Sequence, residues 1–268
     1  MQRNPANGYS ETSMNSIHKF QINLAEEFPR LHHAPIVEAV LQLNAPPLKP
    51  FQQAELKDLL SKRFEGYVVL DQMQLETGFR GSPGGDVEMH HKSQWDGYRL
   101  HSQDEKHICQ WKRNSLIFSR LQPYETWNDL LDAALPFWEA YREIGEPEII
   151  EAIGVRYISQ IPLRANEKPS KYVQQVPLPL KGLGLRADSF FHQDSIPLKG
   201  YPYELKLIRA MQPAAETTGS KSVLIVDIDV STTMAVPFDQ LPRTLDEMRY
   251  IKNKVFYTYM KDAEKRFQ

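Results

Sequence analysis

The sequence predicts an α+β protein: two pseudo-repeats of strand, helix, antiparallel strands and helix, with long helices packed on one face of a curved antiparallel sheet. Three observations predict it. Residues 36–40 (IVEAV) return as 149–153 (IIEAI). Strand-like residues 115–120 run through Pro123-Tyr124 into a helical pattern, and residues 227–230 run through Pro237-Phe238 into another, in register with the first match to within one residue. Short polar links between apolar, β-branched segments in each half have the length of antiparallel hairpin turns.

The elements follow in order. Residues 36–43 read as a buried strand ended by Pro46, Pro47 and Pro50, because proline lacks the donor a ladder needs. Leu56, Leu59, Leu60 and Phe64 recur at helical spacing across 51–64, and Gly66 stops that helix. Strands are expected at 67–79, 87–95, 98–102, 107–113 and 115–121, with turns at 81–86 and at Asp96-Gly97. Trp127, Leu130, Ala134, Trp138 and Tyr141 then share a helix face ended by Gly145 and Pro147.

In the second half a strand is expected at 149–161, and the Pro- and Gly-rich stretch 162–185 leaves room only for a short helix at 169–176. Strands follow at 189–197, 203–211 and 222–230. The closing helix, 238–267, carries a core stripe of Leu241, Leu245, Met248, Ile251, Val255, Phe256 and Tyr259. Lys252, Lys254, Lys261, Lys265 and Arg266 fall outside that stripe and read as a solvated face. The domain reading is a tail at 1–20, a first half at 30–147 and a second at 148–268, packed as one unit.

Composition bounds the function. The chain of 268 residues is 41% hydrophobic and 25% charged, with a net charge of -2 and a pI near 6.5, so no global field draws nucleic acid or anionic lipid. One cysteine, Cys109, cannot form an internal disulfide and fits a reducing, cytoplasmic compartment. No apolar run is long enough to span a bilayer, and the N-terminus lacks a signal-peptide layout.

Candidate site residues come from charge placed on strands. Asp227 and Asp229 alternate onto one strand face, where they could share a divalent cation; the plainer reading is pairing with arginine. Arg120 and Arg156 sit in strands near Tyr124 and Tyr157, so each could hold an anion, or pair internally with Glu38, Glu151 or the aspartates. The ligand-binding candidates are therefore Arg120, Tyr124, Arg156, Tyr157 and Glu38, and the metal candidates Asp227 and Asp229. His90, His91, His101, His107 and Cys109 match no recognised zinc spacing, and the glycines at 81–85 and 182–184 lack the context of a phosphate-cradling loop.

At residues 34–40 (APIVEAV), 119–127 (SRLQPYETW) and 154–158 (GVRYI), the chain resembles a sporadically distributed family of uncharacterised prokaryotic proteins of about this length. The similarity covers most of the chain from about Ala34 and includes Asp227 and Asp229. The family has no assigned activity, and its patchy distribution implies an accessory role, in a mobile or defence system. In topology the expected fold looks like the saddle of the TATA-binding protein or, for one half, a helix-grip arrangement; topology alone does not carry function.

The function expected is binding rather than catalysis: a protein partner or small ligand held at the sheet or where the halves join, with no resident cofactor. Trp95, Tyr98, Trp111, Tyr157, Phe190, Phe191, Tyr201 and Tyr203 supply rings that could line a groove. A second copy of the chain is a further candidate partner. The alternatives are a metal-dependent enzyme acting on a phosphorylated or nucleotide-like substrate, and nucleic-acid binding by a saddle-like sheet, which the near-neutral charge disfavours.

Overall fold

The computed structural model describes residues 20–80, 88–164, 167–176, 188–214, 220 and 222–268, with backbone alone at 73–80 and 88–93. The expected tail at 1–20, apart from Phe20, the turn at 81–86, the glycines at 182–184 and the side chains of His90 and His91 lie outside the described residues.

In chain order the elements are β1 (Ile36–Asn44), α1 (Gln53–Arg63), β2 (Tyr67–Arg80), β3 (Glu88–Ser102), β4 (His107–Lys112), β5 (Ser115–Leu121) and α2 (Trp127–Gly145). There follow β6 (Ala152–Leu163), β7 (Phe190–Pro197), β8 (Tyr203–Pro213), β9 (Ser222–Thr232), α3 (Leu241–Tyr259) and the short α4 (Ala263–Phe267). The strands form one antiparallel nine-stranded sheet in the order β2-β3-β4-β5-β1-β6-β9-β8-β7.

This corrects the expected fold class. The content is α+β, but a single sheet dominates the described residues, in place of two strand-helix-strands-helix repeats. Among the described residues no helix follows β6 as α1 follows β1; Pro169 opens only a three-residue 3₁₀ turn, Pro169–Lys171. Proline offers no N–H to extend a ladder of helical bonds.

A second correction concerns Asp96-Gly97. The pair does not turn the chain: β3 runs straight through it, and the register against β2 jumps from Gln72↔Gly97 to Met73↔Trp95, leaving Asp96 as the extra residue of a bulge. Gly97 has φ +145°, and a Cβ there would meet the carbonyl oxygen of Trp111 at 1.9 Å. The glycine is required by close approach to β4 rather than by a turn.

Strand alternation sorts the two faces. Leu100, Cys109, Phe118, Leu41, Val155, Val230 and Leu205 align across seven strands into one buried apolar row. Helices cover that face: Phe137 of α2 stacks on Phe64, with ring centroids 3.9 Å apart, and Tyr141 packs on Trp111. Thr126 caps α2 by accepting from the Asp129 N–H at 3.1 Å. On α3, Leu245, Met248, Ile251 and Phe256 are buried.

Among the described residues the opposite face carries no helix. One row across it reads His101, Ile108, Ser119, Val40, Arg156, Asp229, Lys206 and Ser195. Its charges are mixed in sign, so it offers no basic surface for a polyanion.

The chain before β1 also belongs to the fold. Residues 20–34 lie along α3: the Tyr250 hydroxyl donates to Gln21 O at 3.2 Å and to Glu26 at 2.9 Å, and Lys254 pairs with Glu26 at 2.6 Å. The Tyr257 hydroxyl donates to Pro29 O, and Phe28 stacks on Tyr257. No helix among the described residues is long and apolar enough to cross a membrane.

Candidate functional site

The sequence candidates separate onto the two faces of the sheet. Arg156, Glu38, Asp227 and Asp229 lie on the helix-free face, whereas Tyr157, one residue from Arg156, points under the helices. Arg156 sits directly opposite Asp229 but reaches diagonally to Asp227, donating from Nε at 2.9 and 3.1 Å and from Nη2 at 2.6 Å. Asp227 is buried and already doubly engaged.

Desolvation raises the pKa of Asp229, against the lowering pull of Arg156 and Lys206. The aspartate pair is thus half consumed by an arginine, and no group of three potential metal ligands occurs among the described residues. Glu38 lies next to Ile158 across β1 and β6; the hydrogen bonds to Asp227 raise the Arg156 pKa most, and the charge of Glu38 adds least.

Arg120 lies on the helix-covered face, where it is buried and donates from Nη1 to His107 Nε2 at 2.6 Å. An acceptor nitrogen means a neutral His107, and burial followed by the Arg120 charge pulls its pKa below the ordinary value. Cys109, on the same strand face, is buried and its thiol is pushed well up by desolvation.

Most of the expected groove-lining rings belong to the core. Tyr98, Trp111, Tyr157 and Tyr203 are buried, and Trp95, Phe190 and Tyr201 pack against them; Phe191 stands out at 69% exposure.

What the structure does bring together is Tyr124 and Tyr157. Their hydroxyls share a hydrogen bond of 3.0 Å, and both line a cavity of about 230 Å³. Each wall has a sequence origin. The bulge at Val37 shifts the register of β1 against β6, so that Ile36 pairs with Ser159 and both line the cavity. The turn after Gln122-Pro123, whose peptide is cis, presents residues 124–127. Residues 28–31 of the N-terminal segment form the roof, and Arg249, Lys252 and Phe256 of α3 complete the enclosure.

Lys252 is the residue the helical reading misplaced. It was expected on the solvated face of the closing helix, yet it is only 9% exposed, with its ammonium 4.0 Å from the centroid of the Tyr157 ring. The position follows Met248 by one turn and precedes Phe256 by another, so it continues the core stripe. Desolvation, helped by the Arg249 charge, pulls its pKa down to about 7.

The cavity wall carries Arg30, Arg249 and Lys252 against one carboxylate, Glu125. None of the three cations enters an ion pair among the described residues; Glu125 instead approaches Arg120 at 3.5 Å. The tyrosine pair adds a further donor. In a hydroxyl pair one O–H is used by its partner and the other remains free, and burial keeps both protonated, pushing Tyr124 up to about 12 and Tyr157 well above its ordinary value. In comparisons with known proteins, no family model and no curated relative matches the chain.

Proposed function

We propose that the protein is a binding module for a small anionic ligand, held in the cavity between the N-terminal segment, β6 and α3. The observation that carries this reading is Lys252: a buried amine facing a cavity without a counter-ion. An uncompensated buried charge destabilises a fold, and a ligand carboxylate or phosphate would supply the missing partner. Arg249 and Arg30 add charge-assisted donors at the rim, and the tyrosine pair adds a neutral one. The volume of about 230 Å³ is below the ~300 Å³ at which drug-sized sites begin, which suits a small metabolite.

The segments that carry the resemblance to uncharacterised prokaryotic proteins each contribute to this wall, through Ala34 and Ile36, through residues 124–127, and through Tyr157. The lone, buried Cys109 fits a cytoplasmic setting.

Calorimetric titration with inorganic phosphate and with oxalate tests the reading. At least one is expected to bind, with affinity falling about tenfold or more in Arg249→Gln, the loss of one charge-assisted hydrogen bond. Absence of heat and of any melting shift with both probes, or affinity unchanged in both Arg249→Gln and Lys252→Met, would overturn it.

A further inference from the structure

We propose that Lys252 forms an imine with the carbonyl carbon of a small aldehyde or 2-oxo acid whose anionic group is held by Arg249. This rests on the anion-binding reading and adds a covalent step to it. The geometry supplies what imine formation needs. The amine is buried at the cavity wall, engages no carboxylate or other hydrogen-bond partner among the described residues, and lies against the face of the Tyr157 ring. The Tyr124 and Tyr157 hydroxyls, 3.0 Å apart on the same wall, hold one O–H free for a ligand oxygen.

The step balances without any further reactant. The neutral amine attacks the carbonyl carbon, a C–N bond forms as the C=O π bond breaks, and the carbonyl oxygen takes up one of the two amine protons to give the carbinolamine. That hydroxyl then leaves as water with the remaining amine proton, and the C=N bond closes. The free tyrosine O–H is placed to donate a hydrogen bond to the carbonyl oxygen as charge develops on it.

Burial, followed by the Arg249 charge, favours the neutral form of Lys252. Arg249 lies on its own helix, Tyr124 and Glu125 come from the turn before α2, Tyr157 from β6 and Arg30 from the N-terminal segment. The single carboxylate among them approaches Arg120 instead. An amine with a pKa of about 7 is half neutral at pH 7, roughly a thousandfold more than an ordinary lysine.

Reductive trapping with glyoxylate and cyanoborohydride at neutral pH tests the proposal on the intact wild-type chain, read by peptide mass mapping. One carboxymethyl group is expected on Lys252, appearing at least about tenfold faster than on any other lysine. Oxalate, which has the charge but no aldehyde, is expected to suppress it, and Lys252→Met to lose it while the other lysines react as before.

Labelling spread over other lysines with Lys252 unmodified overturns the proposal. If oxalate or glyoxylate still shifts the melting transition in that case, the anion-binding reading stands and only the imine fails. If neither shifts it, both fail together.

Discussion

At Lys252 the stripe of α3 accepts an ammonium ion where Met248 and Phe256, one turn to either side, are apolar. Its amine titrates near 7 in the folded chain and near ~10.4 when unfolded, so between those values the unfolded chain binds one proton more and stability rises with pH. Below about 7 the penalty is complete. Lys252→Met is therefore expected to raise stability by about 2 kcal/mol at pH ~6, with the gain shrinking toward pH ~10, as urea denaturation at both pH values would show.

A variant that loses stability at pH ~6 would mean that the ammonium has a partner. The residue was legible in part, since 245, 248, 252 and 256 follow helical spacing. Assigning charge to solvent overrode the geometry, and nothing in the sequence could place the Tyr157 ring 4.0 Å away. For Arg156 and Asp227 the reading of internal pairing needed only strand alternation. Because that carboxylate is bidentate with the guanidinium, titration with Mn²⁺ is expected to give no saturable heat in wild type or in Asp227→Asn.

At the scale of the elements, most of the expected strands and helices lie close to their expected positions, because β-branched runs and helical stripes are local signals. The bulge in β3 was not legible: Asp96-Gly97 has turn composition, and only the approach of Trp111 O reveals a different demand. Gly97→Ala is expected to destabilise the chain by at least about 2 kcal/mol in chemical denaturation, because a Cβ at that φ meets backbone.

The N-terminal segment lacks periodicity and is held by long-range contacts that no local pattern shows. Glu26 joins it to α3 through Lys254 and Tyr250, and those bonds lower its pKa, the first-named most. The stabilisation this gives is present above the unfolded carboxyl pKa and lost as pH falls through the depressed folded value. Glu26→Gln is expected to speed hydrogen exchange in residues 22–33 at neutral pH while leaving the strand amides of β6 and β9 unchanged. Equal acceleration in both regions would show that the segment is not a separate unit.

Across the whole molecule, one sheet spans both expected halves, with β1 and β6 paired at its middle. On the helix-covered face the apolar row through Phe118, Leu41 and Val155 gives way, two residues along each strand, to a row through His107, Arg120, Ala39, Tyr157, Ile228, Leu207 and Asp194. Polar groups therefore gather at one end of the covered face, and the cavity opens there. Sequence matches between the halves suggested a repeated fold, but they fall in β1, at the start of β6 and at two strand-to-helix junctions, and among the described residues no helix follows β6 as α1 follows β1.

Completion of the site around Lys252 by a ligand anion, as proposed above, is read by NMR of the protein labelled with ¹³C at lysine Cε, with Lys252→Met assigning the resonance. The expected Lys252 signal titrates near neutral pH and moves when phosphate or oxalate is added. A Lys252 signal that titrates with the surface lysines and is unmoved by either anion would contradict the proposal.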